Sequence, residues 1–345
     1  MKIKYRIRLY VPRKLWELSS LFTLKSFLDR SRFREKPSIK CSVRRIRPTF
    51  FIIRRKPPGA GLFSNVFFIL QGINRAKELG LVPVVDFKNY FMAEMQNPVK
   101  NQPSGNAWEL FFEPLASEDL EEIYKRGRYI ISSATKQGWG NHNPFLLSKS
   151  PDWLKSTQKL NLVAMLIEEH IKLAPTARDA LLDSKAKLNW SSDRTLGVAI
   201  RGGNYVEHSY VGHARQLKSK ELFYEVTKFI ADSQIDWILP LTQEFKLYES
   251  LVQEFGEIVI KPPVFNSYDS LEEFEALGPK PHPNHWDKGS TFLSYEQNLQ
   301  YLVNVYLISE AQYFIGSPNN AVAFALAKNN SRYSDVRLFS LGSYN

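Results

Sequence analysis

The sequence has almost no cysteine and no long apolar run. Its single cysteine, Cys41, cannot form an internal disulfide, so nothing in the chain requires an oxidising compartment. No uninterrupted apolar stretch reaches the roughly 18 residues that a membrane-spanning helix needs. Charged residues interrupt the apolar positions of the first segment, MKIKYRIRLYVPRK, which is unlike a signal peptide. We therefore expect a cytoplasmic protein without a transmembrane helix.

Acidic residues are scarce in the first 56 residues, and this scarcity makes the whole chain basic. The segment holds 18 lysines and arginines against three acids, whereas the rest has 28 basic and 32 acidic residues, for a net charge of +11. Two interpretations are open: a peripheral contact with an anionic membrane at its inner face, or a helix packed on the main body. Both follow from apolar residues that recur at helical spacing, namely Leu15, Leu18, Leu21, Phe22 and Leu28.

The basic segment also lacks the patterns of nucleic-acid-binding proteins. It has no zinc-finger spacing, no aromatic RNP-like motif and no basic helix followed by heptads. We therefore expect no nucleic-acid partner, and we interpret residues 1–48 as a basic amphipathic arm that precedes the folded domains.

From Thr49 onward the chain has the patterning of an α/β protein. Its 345 residues are 43% hydrophobic and 13% aromatic, enough for a buried core and about two domains. Gly59 and Gly61 lie in a loop that lacks the third glycine of a dinucleotide fingerprint, yet amides in such a loop can bind an anion or a sugar hydroxyl. The first βαβ unit is predicted as strand Phe51–Ile53, loop Gly59–Asn65, helix Phe67–Leu79 and strand Val82–Asp86.

The second half repeats the alternation of strands and helices. A helical region from Trp153 to Leu182 leads into polar turn residues, so we place a domain boundary near Asp193 and predict domains at 49–192 and 193–345. The elements predicted after the boundary are strand Leu196–Arg201, helix Lys220–Asp232, strand Asp236–Leu241, helix Glu244–Phe255, strand Glu257–Ile260, helix Glu296–Ile308, strand Tyr313–Ile315 and helix Ala321–Ala327.

The segment LGVAIRGGNY, residues 196–205, is the most informative part of the sequence. Its apolar run stops at a lone arginine, Arg201, which is followed by Gly202 and Gly203. Open α/β sheets bind ligands at the carboxyl ends of their strands. A guanidinium fork matches phosphate oxygens, and glycines permit close backbone approach. The segment therefore indicates either a site for a phosphorylated ligand or a surface salt bridge beside a glycine turn.

Five blocks of the chain, in order, resemble the superfamily of α1,6-fucosyltransferases, NodZ and protein O-fucosyltransferases. The blocks are GAGLFSNVFFILQGINRAKELGLVPVVDF, AWELFFEP, GVAIRGGNY with the later Gly212-His213, WILPLTQEFKLYESLVQEFGEIVI and LVNVYLISEAQYFIGSPNNAVAFAL. They cover residues 49 to about 330, so the arm lies outside the resemblance. The resemblance implies the GT-B architecture: two Rossmann-like domains facing a cleft, with the acceptor on the first domain's side and the nucleotide sugar on the second.

The resemblance also implies an activity, which is transfer of fucose from GDP-fucose to a glycan or lipid-linked oligosaccharide with inversion and without a metal or other cofactor. Arg201 matches the family's arginine that grips the donor diphosphate and stabilises the charge on departing GDP. A base must deprotonate the acceptor hydroxyl, and the candidates are His213 and Glu207, then His208 and Asp86. The further donor-binding positions are Gly59, Gly61, Gly202, Gly203, Asn204, Thr242, Asn304, Ser317, Asn319 and Asn320.

Several positions depart from the family's pattern where chemistry is expected. Ala199 stands where histidine is usual, Asn204 and Asn304 where aspartate is usual, Gln243 where an acid is usual and Asn319 where serine is usual. An aspartate accepts from both the N1–H and the exocyclic amine of guanine, whereas an asparagine has one acceptor oxygen. Two alternatives to a GDP-fucose enzyme therefore stay open: a degenerate member that binds a nucleotide sugar or glycan without transfer, and a transferase with another nucleotide-sugar donor.

Overall fold

The structure is a computed structural model in which two compact units follow each other along the chain. The first unit comprises Met1–Asn143 and the second Pro144–Asn345. The residues that the structure describes are 36–44, 46–55, 61–89, 105–132, 154, 156–199, 215, 217–242, 245–261, 295–339 and 341–342.

The first unit is built on a four-stranded sheet of order β1-β4-β2-β3. Strands β4, β2 and β3 are parallel, and β1 runs antiparallel to β4. In chain order its elements are β1 (Lys36–Pro37), α1 (Ile39–Arg44), β2 (Phe50–Ile53), α2 (Leu62–Glu78), β3 (Val82–Val85), a 3-10 helix (Ala107–Leu110), α3 (Leu120–Arg126) and β4 (Tyr129–Ile131).

The predicted first βαβ unit is present, but its helix starts earlier than predicted. Helix α2 begins at Leu62, directly after Gly61, so the prediction that Leu62–Asn65 form a loop was wrong. The reason is burial, because Leu62 and Phe63 are 2% and 3% exposed and start the apolar face that packs on the sheet. The helix ends as predicted, before Gly80, whose φ of 62° stops helical hydrogen bonding.

The end of the predicted arm belongs to the first unit. Lys36 and Pro37 pair with Ile131 and Ile130, and the Ser38 amide donates to the Tyr129 carbonyl at 2.8 Å. A sheet edge offers unpaired backbone groups, and β1 satisfies those of β4 without any apolar pattern of its own. The described part of the predicted arm, from Lys36 onward, therefore takes part in the sheet, and residues 1–35 lie outside the described residues.

The aromatic block AWELFFEP lies in the core of the first unit. Trp108, Phe111 and Phe112 are each 0% exposed, and the rings of Trp108 and Phe112 stack at 4.3 Å. The Trp108 Nε1–H donates to the Glu113 carbonyl at 3.0 Å, so the polar atom of the indole is satisfied inside the core. This block therefore shapes the unit by packing.

The second unit contains a parallel sheet of order β6-β5-β7-β8. The predicted strands at 196, 236 and 313 and the helices at 220, 244, 296 and 321 are present, with ends shifted by a few residues. In chain order the elements are α4 (Thr157–His170), α5 (Pro175–Lys187), β5 (Thr195–Ala199), α6 (Ser219–Asp232), β6 (Trp237–Leu241), α7 (Phe245–Phe255), a 3-10 helix (Gly256–Ile258), α8 (Tyr295–Ile308), β7 (Tyr313–Gly316), α9 (Asn320–Asn329) and β8 (Asp335–Leu338).

The predicted helical region from Trp153 to Leu182 contains two helices, because Pro175 starts a new helix after the break at residues 171–174. One prediction in this half was wrong in detail. The predicted strand Glu257–Ile260 is mostly a 3-10 helix, and only Val259 forms a bridge, to Ile238.

The division between the units lies earlier in the chain than the predicted boundary near Asp193. Helix α4 packs against α9 and helix α5 packs against α8, so both helices join the second unit. Within the described ranges, none of the helices has the length and apolar character needed to cross a bilayer.

Candidate functional site

Four strands of the second unit end at one level. Leu241, Ala199, Gly316 and Leu338 are register partners across β6, β5, β7 and β8. The chain passes from β5 to β6 on one side and then crosses to β7 on the other side of β5. Ligands of open α/β sheets bind outside the carboxyl ends of the strands, where the order reverses. The candidate site is therefore the edge at the ends of β5 and β7.

Strands β5 and β7 approach each other closely at this edge. A Cβ placed on Gly316 would lie 2.7 Å from the Ala199 carbonyl oxygen and 2.9 Å from the Ala199 Cβ. Glycine is therefore the residue that fits beside Ala199, which is itself 3% exposed. The position at which the family usually has histidine is here a small, packed side chain.

The turn after β7 forms the start of helix α9. Asn319 is its N-cap, because Oδ1 accepts from the Val322 amide at 3.0 Å, while Nδ2 donates to the Ser317 carbonyl at 3.4 Å. The amides of Asn320 and Ala321, the first two helical residues, have no acceptor within the helix. Together with the helix dipole they favour an anion at this point, beside the nearly buried Ser317.

Thr242 lies on the other side of the end of β5. It follows Leu241 of β6 and is 7% exposed, so Thr242 and Ser317 flank β5 at the same edge. Asn304 lies on α8, the helix directly before β7, and is 6% exposed. Its Oδ1 has no hydrogen-bond partner among the described residues. A buried acceptor without a partner costs about 1–3 kcal/mol, which a ligand N–H group can offset.

Arg201, the residue most strongly predicted to contact the donor, lies outside the described residues. The strand that leads to it is placed, because β5 runs to Ala199, two residues earlier. Gly61 belongs to the residues that the structure describes, and it directly precedes the first turn of α2. The other predicted positions outside the described residues are Gly59, Gly202, Gly203, Asn204, Glu207, His208, Gly212, His213 and Gln243.

Polar side chains also follow three neighbouring strands of the first unit. Arg54 follows β2, Asp86 follows β3 and Ser132 follows β4, and they are 7%, 0% and 1% exposed. The Arg54 amide donates to Ser132 Oγ at 2.9 Å, which ties the ends of β2 and β4 together. Of the three, only Asp86 was predicted as a candidate from the sequence. Each directly follows an apolar run, the same pattern that identified Arg201.

Asp86 is a buried carboxyl group whose two oxygens both accept hydrogen bonds. Oδ1 accepts from the Asn89 amide at 2.9 Å, and Oδ2 accepts from the Tyr124 hydroxyl at 2.5 Å. Burial raises the pKa of Asp86 above its usual 3.8, while the donors and the charge of Arg54 oppose this rise. A general base must reach the acceptor hydroxyl. With no exposed surface, Asp86 anchors Asn89 and Tyr124 instead.

A second arginine ties the end of β2 to the start of α2. Arg55 Nη1 donates to Asn65 Oδ1 at 2.7 Å and to Ser64 Oγ at 3.2 Å. Its guanidinium lies 5.2 Å from the centre of the Phe68 ring. These contacts join the residues on either side of the segment that contains Gly59 and Gly61. Neither Arg55 nor Asn65 was predicted as a site residue from the sequence.

A cavity of about 230 Å³ opens beside β3 in the first unit. Its wall combines apolar side chains such as Val84 and Leu115 with the polar side chains of Lys88, Glu109 and Ser117. Such a mixed wall suits a ligand that carries hydroxyl groups on an apolar ring. Among the described residues there is no group of three or more His, Cys, Asp or Glu side chains placed to hold a metal ion.

No family model matches the chain, and no curated protein matches it. Among solved structures, it is similar to NodZ alpha-1,6-fucosyltransferase soaked with GDP-fucose, with 14% identity and a TM-score of 0.48 over 86% of this chain and 96% of that one. Fucosyltransferase NodZ from Bradyrhizobium gives 14% identity and 0.47 over 82% and 93%. POFUT1 in its apo form gives 9% identity and 0.41 over 86% and 99%.

Proposed function

We propose that the protein is a glycosyltransferase that transfers fucose from GDP-fucose to a glycan acceptor, with inversion and without a metal ion. The pairing of Ala199 with Gly316 carries this proposal. It brings the strand that leads into Arg201-Gly-Gly beside the strand that leads into Ser317 and the start of α9. A cation and a helix N-terminus at one switch point suit a nucleotide diphosphate.

The reaction needs charge stabilisation on the donor side. As the bond between the anomeric carbon and the diphosphate oxygen breaks, negative charge accumulates on GDP. The Arg201 guanidinium, the Ser317 hydroxyl and the free amides at the start of α9 stabilise that charge in place of a metal ion. The acceptor oxygen attacks the opposite face of the sugar, and its proton passes to His213 or Glu207. The product therefore has the inverted configuration.

Asn304 is the residue that we assign to the nucleotide base. Its nearly buried Oδ1, which has no hydrogen-bond partner in the part of the chain that the structure describes, supports this assignment, because an N–H donor of a ligand would satisfy it. An asparagine side chain matches an N–H next to a carbonyl, which guanine presents as N1–H and O6. Uracil presents the same pair, so binding of GDP and of UDP must be compared directly.

Calorimetric titration with GDP, UDP and CMP, alongside a transfer assay on a panel of acceptors, tests the proposal. We expect GDP to bind more tightly than UDP or CMP, and transfer to be observed. Binding of GDP without transfer to any acceptor would support the degenerate alternative. Binding of UDP alone would support a different donor. Failure to bind any of the three nucleotides would reject the donor site altogether.

The variant Arg201→Ala isolates the role of the arginine. We expect it to abolish transfer with little loss of stability, because the residue is assigned to the ligand rather than to the core. The matched control is Arg178→Ala, which removes an exposed arginine of α5 and leaves transfer unchanged. Transfer at the parent rate by Arg201→Ala would refute the assigned role.

A further inference from the structure

One face of helix α8 carries two amides along a largely apolar stretch. Gln300, Asn304 and Ile308 are spaced four residues apart, so they follow one another on the same face of the helix. Apart from Asn304, the residues from Leu302 to Ile308 are buried aliphatic or aromatic side chains. A buried amide needs hydrogen-bond partners, because leaving its polar atoms unpaired costs free energy. The position of the two amides relative to the sheet decides what can satisfy them.

This face of α8 packs on strand β5. A Cβ placed on Gly197 would lie 3.2 Å from Ile308 Cγ2, so Ile308 covers the third residue of β5. Strand β7 begins at Tyr313, shortly after the helix ends, and Tyr313 pairs with β5 near the start of that strand. The end of α8 therefore lies toward the amino ends of the strands, and the helix runs antiparallel to them. Going back along α8 from Ile308 leads to the carboxyl edge of the sheet.

The two amides reach the level of the candidate site. Ala199, the last residue of β5, lies about 6.6 Å beyond Gly197 at the rise of a parallel strand. Asn304 lies about 6 Å back from Ile308 at the rise of an α-helix, which brings it level with Ala199. Gln300 lies about 6 Å further along, past the ends of the strands. Ligands of open α/β sheets bind there, so both amides border the candidate site.

Each of these amides has a carbonyl oxygen that is shielded from solvent. In the described part of the chain, neither Gln300 Oε1 nor Asn304 Oδ1 has a hydrogen-bond partner. The Cβ atoms of residues four apart on a helix are about 5–6 Å from each other. Helical side chains also lean toward the start of their helix, so that of Asn304 leans toward Gln300. The two oxygens therefore form a pair of neighbouring acceptors that one ligand with two adjacent N–H groups can satisfy.

We propose that Gln300 binds the 2-amino group of a guanine base whose N1–H binds Asn304, an assignment that rests on the proposed donor site. Guanine presents O6, N1–H and the 2-amino group in order along one edge, so a single base supplies both donors. An asparagine has one acceptor oxygen where an aspartate has two, and Gln300 supplies the second acceptor from one helical turn earlier. Gln300, which was not among the predicted site residues, is thus a specificity-determining residue.

The other bases fail to satisfy both acceptors. Uracil carries one N–H between two carbonyl groups, so its second carbonyl would face Gln300 Oε1 and be repelled. Adenine and cytosine carry an amine beside an unprotonated ring nitrogen, which would face the other acceptor. Hypoxanthine keeps the O6 and N1–H of guanine and lacks only the 2-amino group. Inosine diphosphate, IDP, therefore isolates the contact assigned to Gln300.

Calorimetric titration of the parent protein with GDP and with IDP tests the assignment without any substitution. We expect GDP to bind about 5- to 150-fold more tightly, which is the range for leaving one buried acceptor unpaired. Equal binding of GDP and IDP would overturn the role of Gln300 while leaving the donor site in place. Absence of GDP binding would instead reject the proposed donor site itself, so the two failures are distinguishable.

The variant Gln300→Met assigns the preference to this side chain. Methionine has a similar length but lacks the amide, so GDP loses a partner whereas IDP loses none. We expect the affinities of the variant for GDP and IDP to agree within about twofold. The matched control is Gln253→Met, which removes an exposed glutamine of α7 and should keep the parent ratio. A parent-like preference for GDP in Gln300→Met would refute the assignment.

A second substitution should restore the preference. In Gln300→Met/Asn304→Asp the aspartate offers two acceptor oxygens, one for N1–H and one for the 2-amino group. We therefore expect the double variant to bind GDP more tightly than IDP by a factor in the parent range. A merely structural role of Gln300 predicts no such recovery, so equal binding of the two nucleotides by the folded double variant would contradict the proposal.

Discussion

Gly316→Ala should distort the candidate site more than the same change at Gly197, the other glycine in the described strands of this sheet. The new Cβ would lie 2.7 Å from the Ala199 carbonyl oxygen, whereas ordinary C···O contacts are about 3.3–3.6 Å. Both partners belong to backbone held in register, so the strain cannot be relieved by a side-chain rotation. The ends of β5 and β7 must instead separate by about 0.6 Å or more.

The cost can be bounded by comparison with overpacked cores. Adding a methyl group to a filled interior costs about 1–3 kcal/mol, and rigid neighbours favour the upper end. The matched control is Gly197→Ala in β5, where the new Cβ would meet Ile308 and Phe314 side-chain atoms at 3.2–3.4 Å. Those side chains can shift by tenths of an ångström. We therefore expect Gly316→Ala to reduce the free energy of unfolding by about 3 kcal/mol and Gly197→Ala by under about 1 kcal/mol.

Urea unfolding of the parent and both variants measures this difference, and GDP titration of the folded proteins measures the effect on the site. Gly316→Ala should weaken GDP binding because it moves Ser317 relative to the end of β5, whereas Gly197→Ala should not. An equal or larger loss of stability in Gly197→Ala would show that the approach of Gly316 to Ala199 is not the limiting contact.

Three further predictions concern residues outside this pair. Because burial raises the pKa of Asp86, the folded state favours the protonated carboxyl group. The stability that the protonated group contributes is fully present below about pH 3.8 and is lost as the pH rises through the native pKa. In urea titrations at a series of pH values, the stability of Asp86→Asn relative to the parent should therefore rise as the pH increases above about 3.8, and a pH-independent difference would contradict this. Asn319→Ala should lose about 1 kcal/mol with the N-cap of α9, whereas Asn319→Asp, which keeps an acceptor, should not; equal unfolding midpoints would argue against the cap. Trp108→Phe should cost about 1–3 kcal/mol, because it removes the bond to the Glu113 carbonyl and part of the ring volume, and an unchanged thermal midpoint would refute that estimate.

The strands that were predicted well from the sequence are those whose apolar runs are bounded by a glycine or a polar turn. Gly80 before β3 and the polar turn before β5 mark such limits, and the alternation of these runs with amphipathic helices indicates parallel sheets. Strands β1 and β4 escaped prediction for a physical reason. Strand β1 consists of Lys36–Pro37 and exists only because it pairs with β4, which is itself three residues long. Pairing between distant segments leaves no local periodicity in the sequence from which such a strand could be predicted.

The candidate site was predictable where a polar residue directly follows an apolar run. That rule identified the Ser317 turn at the end of β7, and it also applies to Arg54 and Ser132, which were not among the predicted site residues. It does not reveal the role that a side chain takes. Asn319 was predicted as a donor-binding position; its Oδ1 caps α9, and only the backbone geometry of the turn shows this second role. Asp86 satisfied the rule as well, but its complete burial separates it from a catalytic base.

The pairing of β1 with β4 decides where the chain can be shortened without harming the rest. A chain that begins at Thr49 would lose β1 and α1 and leave the hydrogen-bonding groups of β4 unpaired. An uncovered edge of this kind recruits a strand from another molecule, so self-association and precipitation are the expected consequences. A chain that begins at Lys36 keeps that edge covered while it discards residues 1–35, which hold ten lysines and arginines and the apolar residues at helical spacing. The shortest chain that keeps the edge of β4 covered therefore begins at Lys36.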